Sequence, residues 1–250
     1  MNTEKVLLGL ALPAPLVLLL LMSPGTPAYC QTNDTMAGMQ MGERRMDLAH
    51  PFFTHMGMPE GVGNYALRLA GVSTTEDEDT DGDFGVHLET GLTRTIGLHI
   101  RNQEVLTEPH TEVTFQFAAV SSQDGMSGFS PFMELEIPTH EGENTFYAIV
   151  GFSTAWTTPR FAFNQSLEYS PKEDGLEGSA SLVAMVGSRL FPVVEFIGEG
   201  AEGSPSLYSA MGGLKGRIDE HFLVGLALEL PTSDAREFDY RILLETDIEW

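Results

Sequence analysis

The sequence has 250 residues, of which 36 are Asp or Glu and 13 are Lys or Arg, and its formal net charge is -23. This acidic balance excludes nucleic acid as a partner, because the phosphates would be repelled. Cys30 is the only cysteine, which excludes an intramolecular disulfide and a thiolate metal cluster. After the N-terminus the sequence contains no run of about 20 apolar residues, so no transmembrane helix is predicted there. A strand of a membrane barrel needs only about 9–11 alternating residues.

The first 28 residues have the three parts of a secretory signal. Lys5 precedes an almost wholly apolar stretch over 6–22, and Thr26 to Ala28 provide a small-residue exit. Charge, apolar core and cleavage site in this order predict a signal peptide over 1–28. A lipoprotein signal acylated at Cys30 is the alternative, and the bulky Tyr29 before that cysteine disfavours it.

Residues 29–60 form a segment of different composition, rich in methionine and histidine. Its candidate metal ligands are Met36, Met39, Met41, His50, His55, Met56 and Met58. Thioether and imidazole ligands together suit Cu(I). The alternative is that the methionines pack adaptably against an irregular surface. Phe52 and Phe53 favour a partly ordered segment that packs against the domain over 61–250, at the opening of that domain.

From Gly61 to the end, apolar and polar residues alternate in about twelve stretches, an even number, as in single-chain outer-membrane barrels. Strands are expected near residues 64–73, 84–89, 96–101, 112–119, 133–137, 145–154, 161–169, 180–186, 194–196, 214–218, 222–230 and 239–250. Successive side chains of a strand point to opposite faces, so each strand has one apolar and one more polar face.

The last stretch, Asp239 to Trp250, shows this alternation most clearly. Its apolar face holds Tyr240, Ile242, Leu244, Ile248 and Trp250, and its polar face holds Arg241, Glu245, Asp247 and Glu249. A strand of this kind that ends on an aromatic residue resembles the closing strand of a bacterial outer-membrane β-barrel. An edge strand of a soluble β-sandwich would alternate in the same way, and the pattern does not decide which face is inside.

The polar faces supply the candidate lumen-lining residues of such a barrel. They are Arg68, His87, Glu89, His99, Arg101, Glu112, Glu134, Glu136, Glu168, Lys215, Arg217, Glu229, Arg241 and Glu245, with Gln116, Glu195 and Asp247 on the same faces. Their mixed charges predict either a salt-bridged interior or a water-filled pore that prefers cations, because acids are in excess. The apolar faces carry no charged residue at a strand centre, where Lys or Arg would cost about 2–4 kcal/mol in a membrane.

The connections are predicted to alternate between long and short, as in outer-membrane barrels. Long ones are expected at 74–83, 102–109, 170–178, 200–206 and 231–238, and short ones at 91–93, 187–190 and 219–220. Residues 121–128 are the exception, because this stretch is too long for its place in the alternation. Asp77, Asp79 and Asp81 in the first long loop resemble the start of a Ca²⁺-binding loop, but Leu88 stands where the bidentate Glu is required. We interpret this stretch as a solvated acidic loop, with weak Ca²⁺ binding as the alternative.

The stretch Gly91 to Leu98 reads Gly-Leu-Thr-Arg-Thr-Ile-Gly-Leu. It resembles the strand-turn-strand signature of the outer-membrane barrel family named for the phenol-degradation meta-pathway (MetA-pathway). Gly187–Leu190 and Gly216–Ile218 resemble it more weakly. The resemblance covers 61–250, and it implies an outer-membrane location and a barrel architecture. Members are mostly described as outer-membrane transporters, so transport is what it implies about function.

The sequence therefore predicts an all-β, antiparallel up-and-down transmembrane β-barrel of about twelve strands over 61–250, preceded by an irregular N-terminal segment. We expect it in the outer membrane of a Gram-negative bacterium, in contact with lipid, as a channel or transporter for a small solute. Gating is expected from the N-terminal segment or the outer loops. The hydrolase elbow, phosphate-loop and zinc-protease motifs do not occur, so neither catalysis nor a cofactor is expected. Copper handling by the Met/His segment and a soluble periplasmic β-sandwich binding module are the alternatives.

Overall fold

The computed structural model describes residues 48–107, 109–122, 127–139, 145–172 and 174–250. The long elements in these ranges are all β-strands. Within the same ranges, no helix has the length and apolar character needed to cross a membrane.

Twelve long strands and one short strand occur in the described residues. They are β1 (Tyr65–Glu76), β2 (Asp79–Gly91), β3 (Ile96–Gln103), β4 (His110–Phe117), β5 (Val120–Ser121), β6 (Gly128–Pro138), β7 (Tyr147–Thr157), β8 (Phe161–Ser170), β9 (Gly175–Ala184), β10 (Leu190–Ala201), β11 (Leu207–Arg217), β12 (Phe222–Pro231) and β13 (Tyr240–Glu249). The short β5 belongs to the connection between β4 and β6. The long strands correspond one to one with those predicted from the alternation.

The strands close into a single antiparallel barrel. Each long strand pairs with its neighbours in sequence, and β4 pairs with β6 across the short β5. The first and last strands also pair, in a register that runs from Ala66 opposite Glu249 to Thr75 opposite Tyr240. Closure removes the free edges that an open sheet would expose. The predicted all-β barrel is therefore confirmed, and the β-sandwich alternative is wrong.

The outward face of the barrel is a continuous apolar belt. Its large exposed side chains include Leu182, Val194, Phe196, Leu214, Leu226, Leu228, Ile242 and Leu244, with Leu226 and Leu244 each 57% exposed. At the end of the barrel where β1 begins and β13 ends, Tyr65 stacks on Trp250, with 5.8 Å between their ring centroids. Tyr169 and Tyr240 are exposed near the opposite end. An apolar band between aromatic rims is the surface that a lipid bilayer covers.

The first connection differs from the predicted long loop at 74–83. Strands β1 and β2 continue to a two-residue turn at Asp77 and Glu78, whose φ angles are 46° and 76°. Two left-handed residues in a row make the type of turn that fits the twist of a hairpin. Thr75 pairs with Thr80 across this hairpin. β-Branched threonines favour extended strands, and the prediction of a loop at 74–83 did not take this into account. This hairpin is not the backbone of a Ca²⁺-binding loop, so the resemblance at Asp77 to Asp81 is confined to the sequence.

The other connections follow the predicted alternation less clearly than expected. The connection predicted at 170–178 contains only residues 171–174, because β9 already begins at Gly175. At the other end, the long connection between β4 and β6, which includes β5, agrees with the exception expected at 121–128. The lengths of the connections therefore do not by themselves distinguish the two ends of the barrel.

Candidate functional site

The barrel interior receives the side chains of the polar strand faces. The inward-pointing positions include Arg68, His87, Glu89, His99, Arg101, Glu112, Glu134, Glu136, Glu168, Lys215, Arg217, Glu229, Arg241 and Glu245, together with Gln116, Glu195 and Asp247. Glu195 and Lys215 are both 0% exposed. Charged side chains buried to this degree need partners, because an isolated buried charge is costly.

Part of the N-terminal segment provides those partners. Residues 48–60, which we call the plug, lie inside the lumen at the end that carries Tyr65 and Trp250. The plug residues Leu48, Phe52, Met56 and Met58 are 2%, 6%, 4% and 6% exposed. Residues 1–47, which include the expected signal peptide and the candidate ligands Met36, Met39 and Met41, lie outside the described residues.

Glu195 of β10 holds the middle of the plug. Its carboxylate accepts hydrogen bonds from the backbone N–H groups of Phe52, Phe53 and Thr54, at 3.1 Å for Phe53 and 2.8 Å for Thr54. The hydroxyl of Thr54 donates a further bond at 2.8 Å. Hydrogen bonds to an ionised acceptor are about twice as strong as neutral ones. Glu195 is therefore the principal anchor between the barrel wall and the plug.

Two basic residues hold the carbonyl side of the same turn. The carbonyl oxygen of Pro51 accepts from Nη1 of Arg68 at 3.3 Å and from Nζ of Lys215 at 3.4 Å. Lys215 also lies 3.1 Å from Asp247 and contacts Glu245. The acid of β10 thus binds plug N–H groups, while the bases of β1 and of the neighbouring β11 bind a plug carbonyl.

Three polar wall residues hold the rest of the plug. Nε2 of Gln116 donates to the carbonyl of Met56 at 2.6 Å, and the N–H of Gly57 donates to Oδ1 of Asn164 at 3.3 Å. The hydroxyl of Ser130 donates to the sulfur of Met58 at 3.6 Å. A Cβ at Gly57 would lie 2.2 Å from the backbone of Ala155, so this position requires glycine. The plug is therefore fitted to this lumen along its whole described length.

The ring of Phe52 fills a pocket in the wall made by two glycines. A Cβ built on Gly213 would lie 2.5 Å from the ring, and one on Gly225 would lie 2.9 Å from it. Nζ of Lys215 lies 4.6 Å from the ring centroid, a cation–π distance. Around the pocket the inward faces of the strands are apolar, at Ala162, Val183, Phe191, Val193, Met211, Leu223, Ala227 and Leu243. Glycine inside a strand marks such close approaches, so Gly213 and Gly225 are the sequence signal that could have indicated this pocket.

A valine at position 213 is expected to dislodge Phe52, whereas a valine at 212 is not. A Cβ on Gly212 meets nothing within 4 Å, so the two neighbouring glycines form a matched pair. Overpacking of this kind costs about 1–3 kcal/mol. We expect Gly213→Val to lower the temperature at which the folded barrel converts to the unfolded band on an SDS gel. Equal temperatures for the two variants would show that the ring does not need its pocket.

The glycines of the turn motif have a structural reason. A Cβ on Gly91 would lie 2.4 Å from the carbonyl oxygens of Glu60 and Gly61, and one on Gly97 would lie 2.7 Å from Cβ of Pro59. The chain leaving the plug passes directly over these two positions. The motif that suggested a family resemblance therefore also makes room for the exit of the plug.

The plug histidines have separate partners. Nδ1 of His50 lies 3.0 Å from Nη2 of Arg68, and its Nε2 lies 3.2 Å from Glu60. Nε2 of His55 lies 3.6 Å from Glu168. Burial, and then the charge of Arg101, lower the pKa of His55 well below its ordinary range, so this approach is not an ion pair at neutral pH. Cu(I) binding by the Met/His segment stays a prediction.

Beyond the plug the lumen opens into an acidic cavity of about 800 Å³ at the end opposite Tyr65 and Trp250, which we call the loop end. Acids on neighbouring strands meet there: Glu168 stands opposite Glu177, and Glu177 stands opposite Glu199. Arg101 lies 3.2 Å from Glu112 on the facing strand. Directly opposed like charges repel, so this wall has a field that attracts cations. Glu177 and Glu199 were absent from the predicted lumen set. Glu177 was missed because residues 170–178 were predicted to form a loop.

Solved structures share the fold of this chain. An outer-membrane channel from Pseudomonas putida F1 aligns with a TM-score of 0.58 at 10% identity, over 78% of this chain and 98% of that one. The KdgM porin, solved in complex with disordered oligogalacturonate, aligns with a TM-score of 0.57 at 8% identity, over 74% and 98%. Outer-membrane phospholipase A from Escherichia coli aligns with a TM-score of 0.51 at 11% identity, over 81% and 95%.

No protein-family model matches the sequence, and no curated protein matches it either. The structural likenesses lie at identities that establish the fold alone. Together with the closed sheet and the apolar belt, they define the molecule as an outer-membrane-type β-barrel of the porin and channel fold.

Proposed function

We propose that the protein is a channel of the bacterial outer membrane that passes a small solute through its charged lumen and is closed by the plug. The observation that supports this function most directly is that plug residues line the cavity. Phe53 and His55 of the plug line the 800 Å³ cavity, so the path through the barrel ends on them. The fold shared with porins supports the same function. The signal peptide expected over 1–28 would direct the chain to this location.

The preferred solute is a cation or a molecule with a positive group. The cavity is lined by Glu112, Glu134, Glu136, Glu168, Glu177, Glu199 and Glu229, with Arg101, Arg236 and Arg241 as its bases. Rings of carboxylates give cation preference in pores because their negative charge attracts cations and repels anions. The distribution of charges supports a lumen that combines the two predicted interiors, the salt-bridged one and the cation-preferring one. The plug end is salt-bridged, and the loop end is acidic.

Removal of two of these acids is expected to weaken cation preference. In a barrel without residues 31–60, so that the plug does not limit the current, a KCl gradient should give a reversal potential that favours K⁺. Glu168→Gln with Glu177→Gln should reduce the permeability ratio of K⁺ to Cl⁻ several-fold. Glu220→Gln is the matched control, because Glu220 lies in the turn after β11, at the other end of the barrel. An unchanged ratio in the double variant would refute the assignment of this wall as the filter.

The family proposed for the chain is the meta-pathway outer-membrane barrel family. The support is the Gly91 to Leu98 turn, whose Gly91 and Gly97 leave room for the chain at Pro59 to Gly61. That the chain is not an enzyme stays a prediction, since the likeness to phospholipase A concerns the fold. In the described strands the histidines point into the lumen and not toward the lipid, as His87 and His99 illustrate.

A further inference from the structure

Two histidines and one glutamate on the lumen wall form a cluster that does not serve to hold the plug backbone. His87 and Glu89 are two residues apart on β2 and so point to the same face, and His99 of β3 stands directly opposite Glu89. One donor atom from each of the three lies within 4.8 Å of the other two. His99 is 3% exposed and Glu89 is 1% exposed.

The cluster has donor atoms to spare. Among the described residues, Nε2 of His87, both ring nitrogens of His99 and Oε2 of Glu89 are buried without a hydrogen bond of ordinary geometry, although Gln116 lies beside the His99 ring and Nδ1 of His50 lies 3.6 Å from Oε2 of Glu89. Buried polar atoms are nearly always partnered, so these atoms are suited to binding a ligand at this place. A metal ion is the ligand that imidazole nitrogens and a carboxylate oxygen share.

The spacing of the donors fits a single ion. Nε2 of His87 lies 3.4 Å, and Nδ1 of His99 lies 3.9 Å, from the same oxygen of Glu89. With bonds of about 2.0–2.2 Å in tetrahedral geometry, two donors of one zinc ion stand about 3.3–3.5 Å apart. His87 and Glu89 already have this separation, His99 needs to approach Glu89 by about 0.5 Å, and the two imidazole donors lie within 4.8 Å of each other.

A neighbouring triad, His50 with Glu60 and Glu89, also has close donor atoms but a different role. Both nitrogens of His50 have partners, Arg68 at 3.0 Å and Glu60 at 3.2 Å, so this ring fastens the plug. Nη2 of Arg68 donates to Oε1 of Glu89, the oxygen from which both imidazole distances are measured, so the ion and the guanidinium would share this oxygen. Carboxylates that bind metals are commonly hydrogen-bonded by such outer groups, which orient them.

An ion can reach the cluster from the lumen. His87, Glu89 and His99 line a cavity of about 380 Å³, together with His55 of the plug. We propose that His87, Glu89 and His99 bind one divalent transition-metal ion of the zinc and cobalt class, with the fourth position open to this cavity. The donor set of two imidazoles and one carboxylate suits these ions, whereas the methionines of the N-terminal segment suit Cu(I). This metal-site proposal holds whether or not the barrel acts as a channel.

Cobalt titration of the full chain, purified in detergent and stripped with a chelator, tests the site. We expect one Co²⁺ per barrel, with visible absorption bands of a tetrahedral site and a micromolar dissociation constant. His87→Ala with His99→Ala should weaken binding at least about 100-fold, a change of about 2.8 kcal/mol. His221→Ala, in an exposed turn, is the matched control and should bind as the wild type does.

The fold of each variant is checked by its band shift on an SDS gel with and without boiling. If the double alanine variant fails to fold, His87→Asn and His99→Gln, which retain polar side chains, replace it. Absence of Co²⁺ bands in the wild type up to millimolar metal would overturn the site. Undiminished binding by a folded double variant would overturn it equally.

Discussion

Replacement of Glu195 by alanine is expected to open the channel. The carboxylate accepts from three plug N–H groups and from the hydroxyl of Thr54, and nothing else in the described lumen binds the same N–H groups. A hydrogen bond to a charged group contributes about 1.5–3 kcal/mol. A loss of only about 2.8 kcal/mol changes the ratio of open to closed barrels about 100-fold. Single-channel recordings should therefore show an open probability at least about 100-fold above that of the wild type.

Glu229→Gln is the control for this result. Glu229 is 2% exposed and also lies in the lumen, but it accepts from Ser209 and faces Arg241 rather than the plug. Its loss should leave the open probability near the wild-type value. If both variants open alike, the effect is a general loosening of the lumen, and Glu195 is not the anchor of the gate.

Replacement of Lys215 by methionine is expected to cause the largest loss of stability. Lys215 is 0% exposed and lies against Glu245 and Asp247, which are 3% and 2% exposed. Removal of one partner of a buried ion pair costs about 3–5 kcal/mol, because the remaining charge is uncompensated. The free energy of unfolding in urea, measured in detergent micelles, should fall by about this amount.

Two further variants separate the loss of charge from the loss of packing. Adding Glu245→Gln and Asp247→Asn to Lys215→Met removes the stranded charges and should restore most of the stability. Lys172→Met removes a partly exposed lysine 3.1 Å from Glu136 and should cost at most about 1 kcal/mol. A triple variant as unstable as the single one would contradict the charge explanation.

The strands were predictable from the sequence because the two environments of a barrel wall differ so strongly. In β12, Leu226 and Leu228 face outward while Glu229 faces the lumen, so a period of two identifies the strand. Even β10, where the pattern is weakest, was placed correctly through Glu195. Lipid on one side and polar groups on the other leave little freedom in register.

The plug could not be derived in this way, because its contacts are distant in sequence. Phe52 and Glu195 are 143 residues apart, and no local period connects them. The plug also changes which side chains can line the inner face of the barrel. Phe191 and Leu223 point into the lumen and are both 0% exposed, against the expectation of a polar inner face. Apolar side chains are tolerated there because the plug covers them.

Comparison of bilayer conductance between the full-length chain and a chain without residues 31–60 tests the central claim most directly. Both proteins should show the boiling-dependent band shift of a closed barrel. The full-length chain should be mostly closed, and the shortened chain should give steady, cation-preferring current. A shortened chain that is folded but carries no current would contradict the account of a plugged channel.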